Sequence, residues 1–361
     1  MPLKPKNLLK YGFYYSGMGR TFIEGNKHQT VWILRYHSVS DSRDQNFRYV
    51  TPSIAVSPRV FESHTAFLSS HNTIISLDDV AAWINGAISL PRQSVVITFD
   101  DGYQDNYRHA YPILKKYGAT ATFYVVTDAI GNAQPLWTSE LRDIVYRASQ
   151  RHVTLNSIGS ERIDLTDEAA KKQTIQTIGR IMRCTDKKTR GVIIREMRDK
   201  LIGEKNGFLD EVMMSWDELR EMKRGGMCIG SHTMSHPLLS AISQQEAAIE
   251  IAGSKTKIEE ELDAPAVHLS YPNPGEGVHV NEAVKNLVRH AGYLTARTSS
   301  KGSVRKDSDL FALKGISIDN SCSHPALLAW MLNGGVESFR RAFSNFKELS
   351  LNAQPESDQF R

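Results

Sequence analysis

Two neighbouring carboxylates follow a segment with the composition of a buried strand. Ser94–Phe99 is rich in β-branched residues, and Asp100, Asp101 and Gly102 come directly after it. Two adjacent carboxylates at the end of a strand repel each other and lose solvation, a cost worth keeping if one of them binds a cation. An ordinary Asp-Asp-Gly turn with exposed carboxylates is the alternative interpretation.

Two histidines follow a second predicted strand, the short apolar segment 227–230. His232 and His236 are the only histidine pair in the sequence with a spacing of four. Imidazole is a common zinc ligand, and this spacing allows both rings to converge from one face of a helix or from a loop. Two exposed surface histidines are the alternative.

One carboxylate and two imidazoles form a set of three ligands, which leaves coordination positions open for water and substrate, as catalytic zinc requires. The second aspartate is then free to remove a proton from a water molecule that attacks a carbonyl carbon. The residue types therefore indicate metal-assisted hydrolysis of an amide.

The elements that would position these residues alternate between strands and helices, a pattern that indicates parallel strands with crossover helices. In such folds functional groups collect at the C-terminal ends of the strands. The predicted strands cover residues 31–34, 73–77, 94–99, 120–126, 227–230, 267–271 and 293–297. The predicted helices begin at Ser57-Pro58 and cover 78–88, 106–117, 167–182, 188–201, 216–224, 244–262 and 281–290, with another after about residue 320.

The composition excludes several classes of protein. The 361 residues carry 44 basic and 40 acidic side chains, a net charge of +4 without a long run of one sign, so nothing favours nucleic-acid binding. Three widely separated cysteines do not suit a disulfide framework or a cysteine-rich zinc module. No segment approaches the roughly 20 apolar residues of a membrane-spanning helix.

We expect one large domain with short additions. The predicted organisation is an N-terminal lead segment (1–30), a barrel (31–320) with a helical insertion at about 150–210, and a C-terminal helix with a loose tail (321–361). The apolar N-terminus lacks a small-residue cleavage site, so we expect a cytoplasmic protein without a signal peptide. Docking of this terminus on the domain is favoured over peripheral contact with the inner membrane.

The two motifs together resemble a known family. Thr98–Tyr103 and Ser231–Pro237 are similar in order, spacing and flanking residues to the first two motifs of the polysaccharide deacetylase family, also named the NodB-homology family or carbohydrate esterase family four. The resemblance covers residues 31–318 and implies a distorted (β/α)7 barrel of α/β class with a helical insertion.

The resemblance also implies the roles of individual residues. It assigns Asp101, His232 and His236 as ligands of a divalent metal and Asp100 as the general base. Zn²⁺ is the expected ion, and Ni²⁺, Co²⁺ and Fe²⁺ suit similar ligands. A backbone amide near Tyr103 is expected to stabilise the oxyanion.

The expected third motif departs from the family pattern. Residues 269–275 stand in its place, and no arginine precedes the proline as it does in the family. The segment resembles the Tyr-Pro-x-Gly variant of the subgroup that deacetylates poly-N-acetylglucosamine, with Pro274 as an extra residue. Tyr271 and Pro272 are predicted to line the substrate groove, or Tyr271 to supply a backbone oxyanion donor.

The general acid is predicted from the same subgroup. The late Leu-x-His motif of ordinary family members is not found after Gly292, whereas Tyr36-His37 resembles a Tyr-His pair on the N-terminal strand of the subgroup. His37 is therefore the predicted acid, and a histidine satisfied by hydrogen bonds at a strand end is the alternative. Trp137, in a predicted loop, stacks on a sugar ring or packs within a lid.

These observations predict a metal-dependent hydrolase that removes N-acetyl or other N-acyl groups from amino sugars of a polysaccharide or glycan precursor. Two alternatives stay open. The same site could serve a deformylase or a hydrolase of small cyclic amides, and the missing third-motif arginine would suit a glycan-binding barrel without turnover. The sugar, its linkage and the oligomeric state are left open.

Overall fold

The computed structural model describes residues 8–15, 29–131, 135–203, 212–272 and 279–332 of the chain. The contacts divide the chain into two compact units, Gln29–Ser321 and a second unit formed by Met1–His28 with Cys322–Arg361. All the site residues predicted above belong to Gln29–Ser321, whereas Asn273, Pro274 and Gly275 of the third motif lie outside the described residues.

Seven parallel strands close the larger unit into a barrel, which confirms the predicted distorted (β/α)7 fold. The strands in chain order are β1 (Trp32–Tyr36), β2 (Ser38–Val39), β3 (Ala55–Val56), β4 (Thr73–Ile74), β5 (Ser94–Phe99), β6 (Thr122–Val125), β7 (His152–Leu155), β8 (Glu161–Asp164), β9 (Cys228–Ser231), β10 (His268–Ser270), β11 (Thr295–Lys301) and β12 (Leu313–Ser317). Around the barrel the order is β1, β5, β6, β9, β10, β11 and β12, and β12 pairs again with β1. The short β4 extends the sheet beside the start of β5.

The helices follow the strands in the alternation that the sequence predicts. Their bounds are α1 (Leu8–Tyr15), α2 (Pro58–His71), α3 (Leu77–Ile84), α4 (Tyr111–Lys116), α5 (Trp137–Arg147), α6 (Glu168–Arg183), α7 (Lys187–Leu201), α8 (Trp216–Arg224), α9 (Gln244–Leu262), α10 (Glu282–His290) and α11 (Pro325–Leu332). Three begin with a serine capping box, at Ser76, Ser215 and Ser243, and each such cap stabilises a helix by about 1 kcal/mol.

The helix predicted over 106–117 is divided in the structure. Asn106–Ala110 forms a π-helical turn, and α4 follows it. Pro112 lies at the start of α4, and because proline lacks an amide proton it cannot continue the hydrogen-bond ladder into the preceding turn.

Between β6 and β9 the chain builds a layer of its own. It contains α5, the antiparallel hairpin of β7 and β8, and then α6 and α7, which share an apolar core that includes Ile144, Leu155, Ile178, Ile193 and Met197. The sequence predicted α6 and α7 to within one residue at each end, but not α5 or the hairpin. This inserted layer is the part of the fold that flanks the site described below.

The second unit is described only for residues 8–15 and 322–332, which contain α1 and α11. These two helices contact each other, and the ring of Tyr11 meets the edge of the His324 ring at 5.1 Å. Among the described residues no helix has both the length and the apolarity needed to cross a membrane.

Candidate active site

The predicted site residues lie together at one end of the barrel. Asp100 and Asp101 follow β5, His37 follows β1, and His232 follows β9. Because these strands are parallel, their C-terminal ends meet at the same rim, where the functional groups of α/β barrels collect. The run Ser94–Phe99 is buried along its whole length, so β5 gives the two aspartates a rigid base.

Three side chains converge as a metal site requires. Oδ1 of Asp101 lies 3.6 Å from Nε2 of His232 and 3.5 Å from Nε2 of His236, and one donor atom from each residue lies within 4.8 Å of the others. Two ligands of a tetrahedral zinc ion with bonds of 2.0–2.1 Å are separated by roughly 3.3 Å. The donor set and its spacing therefore fit a divalent cation.

Both imidazoles are held in the form that binds a metal. Nδ1 of His232 lies 2.7 Å from the carbonyl oxygen of Ser270, which accepts its proton and leaves Nε2 free to face Asp101. Burial lowers the pKa of His232 and of His236, which keeps both rings neutral. Neutral imidazole is the metal-binding form.

The backbone adopts uncommon conformations at these ligands. Of the six non-glycine residues with positive φ in the described chain, three lie here: Asp101 at 77°, Thr233 at 67° and His236 at 58°. Gly102 continues the turn at 87°. Such conformations persist where surrounding contacts hold them, and they concentrate at functional sites. Oγ1 of Thr233 supplies one such contact, because it accepts a hydrogen bond of 3.1 Å from the amide of His236.

Ser235, between the two histidines, anchors their loop to two neighbouring helices. Its amide donates to Oε2 of Glu250 in α9 at 2.8 Å, and its hydroxyl donates to Oε1 of the same carboxylate. Nη2 of Arg190 in α7 donates to Oγ of Ser235 at 2.5 Å. The inserted layer therefore contributes directly to the position of the histidine loop.

Asp100 is not part of the cluster of Asp101, His232 and His236, which we name the candidate metal triad, and it is bound by a buried arginine. Nη2 of Arg297, in β11, donates to both carboxylate oxygens of Asp100, at 2.6 Å to Oδ2, and also to Oγ of Ser270 at 2.6 Å. Arg297 is only 1% exposed and Asp100 only 2%. A guanidinium that is shared in this way fixes the orientation of the carboxylate.

The two aspartates differ in their charge states. Burial acts to raise the pKa of Asp100, but the interactions with Arg297, His232, His37 and Arg35 together outweigh burial and hold the pKa well below its ordinary value. Burial and the charge of Asp100 raise the pKa of Asp101 to about 8, although Arg35 and Arg297 oppose the shift. Asp100 is thus ionised at neutral pH. The raised pKa of Asp101 favours its neutral form, and a bound cation would supply the positive charge that stabilises the ionised carboxylate.

His37 lies beside Asp100 at the rim. Its Nε2 is 3.9 Å from Oδ2 of Asp100, and its side chain is 15% exposed. Burial lowers the pKa of His37 to about 3, so the free ring is neutral. Asn106 donates a hydrogen bond of 2.7 Å to the His37 carbonyl oxygen and ties this segment to the π-helical turn that follows β5.

The aromatic residues predicted to contact substrate are mostly buried. The ring of Tyr103 lies in an apolar cluster, and its hydroxyl contacts Ser139 at 3.2 Å. The side chain is therefore not available to a substrate, and only the backbone amide is left for the predicted oxyanion role. Tyr271 is 2% exposed, its hydroxyl donates to Phe311, and its amide donates to the Arg297 carbonyl oxygen. Neither group of Tyr271 is therefore presented to a substrate, and Pro272 beside it is also buried.

Trp137 lies close to the candidate metal triad at the start of α5. Its Nε1 donates to the carbonyl oxygen of His236 at 3.2 Å, and its ring packs partly against the core of the inserted layer. The residue therefore takes part in the packing of that layer and also borders the site.

Arg297 is the functional residue that sequence reasoning missed. The arginine expected in the third motif is absent after β10, whereas an arginine of the neighbouring strand β11 binds Asp100. One signal was present in the sequence: Arg297 is the single charged residue in the strand segment Thr295–Thr298, all four positions of which are buried.

Comparison with known proteins agrees with this geometry. The family model described as Polysaccharide deacetylase matches residues 87–296, more than half of the chain. A putative polysaccharide deacetylase of Bacillus subtilis, YxkH, is 22% identical over 86% of this chain and 79% of its own length. A poly-β-1,6-N-acetyl-D-glucosamine N-deacetylase of Staphylococcus aureus is 33% identical over 29% of this chain and 39% of its own length.

Solved structures share the fold of this chain. The deacetylase PplD of Streptococcus pyogenes, solved in complex with acetate, superposes with a TM-score of 0.56 at 19% identity and covers 84% of this chain and 97% of its own. IcaB of Ammonifex degensii has a TM-score of 0.52 at 18% identity, over 83% and 97% of the two chains. These similarities show the shared fold. The match to the family model establishes that this chain belongs to the polysaccharide deacetylase family, whose members are hydrolases that act on the carbon–nitrogen bond of N-acetyl groups.

Proposed function

We propose that this protein is a metal-dependent N-deacetylase that acts on an amino-sugar glycan. The observation that carries the proposal is the pairing of two carboxylates with different surroundings. Asp101 converges with His232 and His236, whereas Asp100 stands beside them, held by Arg297. This is the division of labour that metal-assisted amide hydrolysis requires.

Asp101, His232 and His236 would hold the cation. When bound, a divalent ion supplies Lewis-acid activation of water and of the acetyl carbonyl. Zn²⁺ suits one carboxylate and two imidazoles, and Ni²⁺, Co²⁺ and Fe²⁺ accept the same donors. The carbonyl oxygen of Ser270 orients His232 for this task.

Asp100 would act as the general base. Its carboxylate is ionised at neutral pH and cannot rotate freely, because Arg297 binds both of its oxygens. It would accept a proton from the water that attacks the acetyl carbon. The backbone amide of Tyr103 is the protein group proposed to stabilise the negative charge on the former carbonyl oxygen.

His37 would deliver the proton to the departing amine. Because the free ring is neutral, it must first receive a proton, and the nearest donor is Asp100 after the attack, 3.9 Å away. One water proton reaches the sugar nitrogen through Asp100 and His37, and the other stays on acetic acid, which ionises at neutral pH, so acetate, a free amine and one proton are the products. A shift of about 1 Å would bring the two groups within hydrogen-bond distance.

The substrate class is proposed from the relatives. Poly-β-1,6-N-acetyl-D-glucosamine is named for the Staphylococcus aureus enzymes that match part of this chain. We propose an N-acetylated glucosamine glycan for this protein as well, either a polymer or a precursor. An N-formyl group would fit the same chemistry and belongs in the test.

The test is release of acetate from a panel of N-acetylated glucosamine oligosaccharides, with and without a chelator. N-formylated analogues identify the acyl group. Wild-type protein should release acetate, chelator should abolish release, and added Zn²⁺ or Co²⁺ should restore it. The Asp217→Asn variant, whose carboxylate is 90% exposed and lies in neither motif, serves as the control and should keep full activity. Unchanged turnover in chelator would overturn the proposal.

A further inference from the structure

A cavity opens directly beside the proposed metal site. It encloses about 610 Å³ and is bordered by the loop after β6, the start of α5 and one side of α7. Ser235, which separates the two metal-binding histidines, lines it, as does Trp137, which donates to the His236 carbonyl oxygen. Ligand cavities of 300–1,000 Å³ are typical, so this volume suits one or two sugar units.

The charges that line this cavity are mainly positive. Two acids contribute, and each is matched by a cation: Lys187 binds Asp128 at 2.8 Å, and Arg198 pairs with Glu140. Two further arginines on the same wall have no carboxylate within 4 Å among the residues that the structure describes. These are Arg190 and Arg195.

Arg190 and Arg195 differ in how they are held. Arg190 is buried, and it donates hydrogen bonds to the Thr185 carbonyl oxygen and to Ser235. The Ser235 hydroxyl in turn donates to the negatively charged carboxylate of Glu250. Arg195 is exposed at the cavity, and no carboxylate within the described ranges lies within 4 Å of it. A guanidinium at the edge of a partly enclosed site attracts and orients oxyanions.

We infer that this cavity is a subsite for an anionic group on the glycan, a phosphate or a carboxylate attached next to the acetamido sugar. The inference rests on the proposed deacetylase function, since it places the reacting sugar at the candidate metal triad and its neighbour in the cavity. Arg195 would contact the anion, and Trp137 would border the ring of the neighbouring sugar. The preferred substrate is then an acidic glycan and not a neutral homopolymer.

Two substitutions test the subsite without disturbing the metal loop. Arg195→Gln removes the unmatched charge. Gly191→Gln places a side chain in the cavity, where an added Cβ meets no atom within 4 Å and the helix gains a residue with better propensity. The matched controls are Lys188→Gln and Val192→Gln, both exposed positions of the same helix that do not line the cavity.

The first measurement is calorimetric titration of the full chain with inorganic phosphate and with glucuronate, in chelator so that no bound cation supplies the anion site. We expect saturable binding of at least one of the two anions, weakened about tenfold or more by Arg195→Gln and by Gly191→Gln but not by the controls. The anion that binds identifies the substituent. Absence of saturable binding by both anions, or binding that neither cavity variant changes, would overturn the inference.

The second measurement compares acetate release from neutral, phosphorylated and uronate-bearing N-acetylglucosamine oligosaccharides. The acidic substrates should show the lower KM, and Arg195→Gln should raise that KM about tenfold, whereas Lys188→Gln should leave it unchanged. Equal KM values for neutral and acidic substrates contradict the subsite and leave deacetylation intact. Anion binding in the cavity without acetate release from any substrate contradicts the deacetylase function instead.

Discussion

The buried pair of Arg297 and Asp100 allows a quantitative test of how the proposed base is held. Arg297→Met removes the guanidinium that binds both carboxylate oxygens and leaves Asp100, 2% exposed, without its closest positive charge. Removal of one partner from a buried ion pair typically costs 3–5 kcal/mol, because the other charge stays buried. Such a loss is a large part of the roughly 5–15 kcal/mol that stabilises a typical domain.

The double variant separates the pair from general damage to the core. In Arg297→Met/Asp100→Asn no charge is left without a partner, so the double variant should be more stable than Arg297→Met alone. Asp100→Asn should by itself cost less than Arg297→Met, because the guanidinium keeps Ser270 and the carbonyl of Thr298 as acceptors. Both single variants and the double variant should lose acetate release.

The assay is urea unfolding followed by circular dichroism for the four members of the cycle, in chelator so that metal affinity does not contribute. We expect a coupling free energy of about 2 kcal/mol or more between the two positions. Arg220→Met, in which a partly exposed surface pair is broken, is the control and should cost less than about 1 kcal/mol. If the two losses add to within about 0.5 kcal/mol, the reasoning about this pair is refuted.

Three further predictions concern the surroundings of the site. Glu250→Ala removes the acceptor of the Ser235 amide and should weaken Zn²⁺ binding about 10- to 100-fold in a chelator competition. Substitution of the exposed Glu260 on the same helix by alanine should leave the affinity unchanged, and equal affinities of the two variants would exclude the anchoring role of Glu250. Gly230→Ala places a Cβ 2.7 Å from the Tyr124 ring and 2.8 Å from the His268 carbonyl oxygen. The variant should therefore be less stable than the wild type by about 1–3 kcal/mol in urea unfolding. A variant as stable as the wild type would contradict the close packing. The pKa of Asp101 is raised to about 8, so the metal-free folded chain holds a proton there that the unfolded chain lacks. Between pH 6.5 and 8 the stability of the metal-free protein should therefore fall by up to about 1.4 kcal/mol per pH unit. Asp101→Asn should remove this slope, and a slope that persists would contradict the assignment.

The sequence alone was sufficient for the parts of this structure that depend on local patterns. Runs of β-branched residues mark β5 and its neighbours, and serine caps mark helices such as α9, whose bounds match the prediction at both ends. Since the motif residues follow such strands directly, their meeting at one rim follows from parallel topology. Asp101, His232 and His236 could therefore be placed together before any coordinates were known.

Interactions between distant segments were not accessible in the same way. Arg297 binds Asp100 across 197 residues of chain, and only the closure of the barrel reveals that β11 brings a guanidinium to the end of β5. The burial of Tyr271 likewise depends on its contact with Phe311, 40 residues later. The hairpin of β7 and β8 was missed because its four-residue strands lie in a polar insertion without a continuous apolar run.

The missing third-motif arginine thus has a structural explanation. Its absence from the segment before Pro272 suggested a barrel without turnover as an alternative. Because Arg297 binds and orients Asp100 from the adjacent strand β11, the absence of the motif arginine no longer supports a purely glycan-binding protein. The cavity beside Ser235 adds a second feature that local patterns do not reveal, since its walls come from three separate parts of the chain.

The most direct test of the account is equilibrium binding of Zn²⁺ to chelator-treated wild-type, Asp100→Asn and Asp101→Asn proteins. The account predicts one ion per chain for wild type and for Asp100→Asn, and affinity at least about 100-fold weaker for Asp101→Asn, because only that substitution removes a ligand. Equal affinity in all three proteins, or binding lost in Asp100→Asn and kept in Asp101→Asn, would contradict the assignment of the two carboxylates.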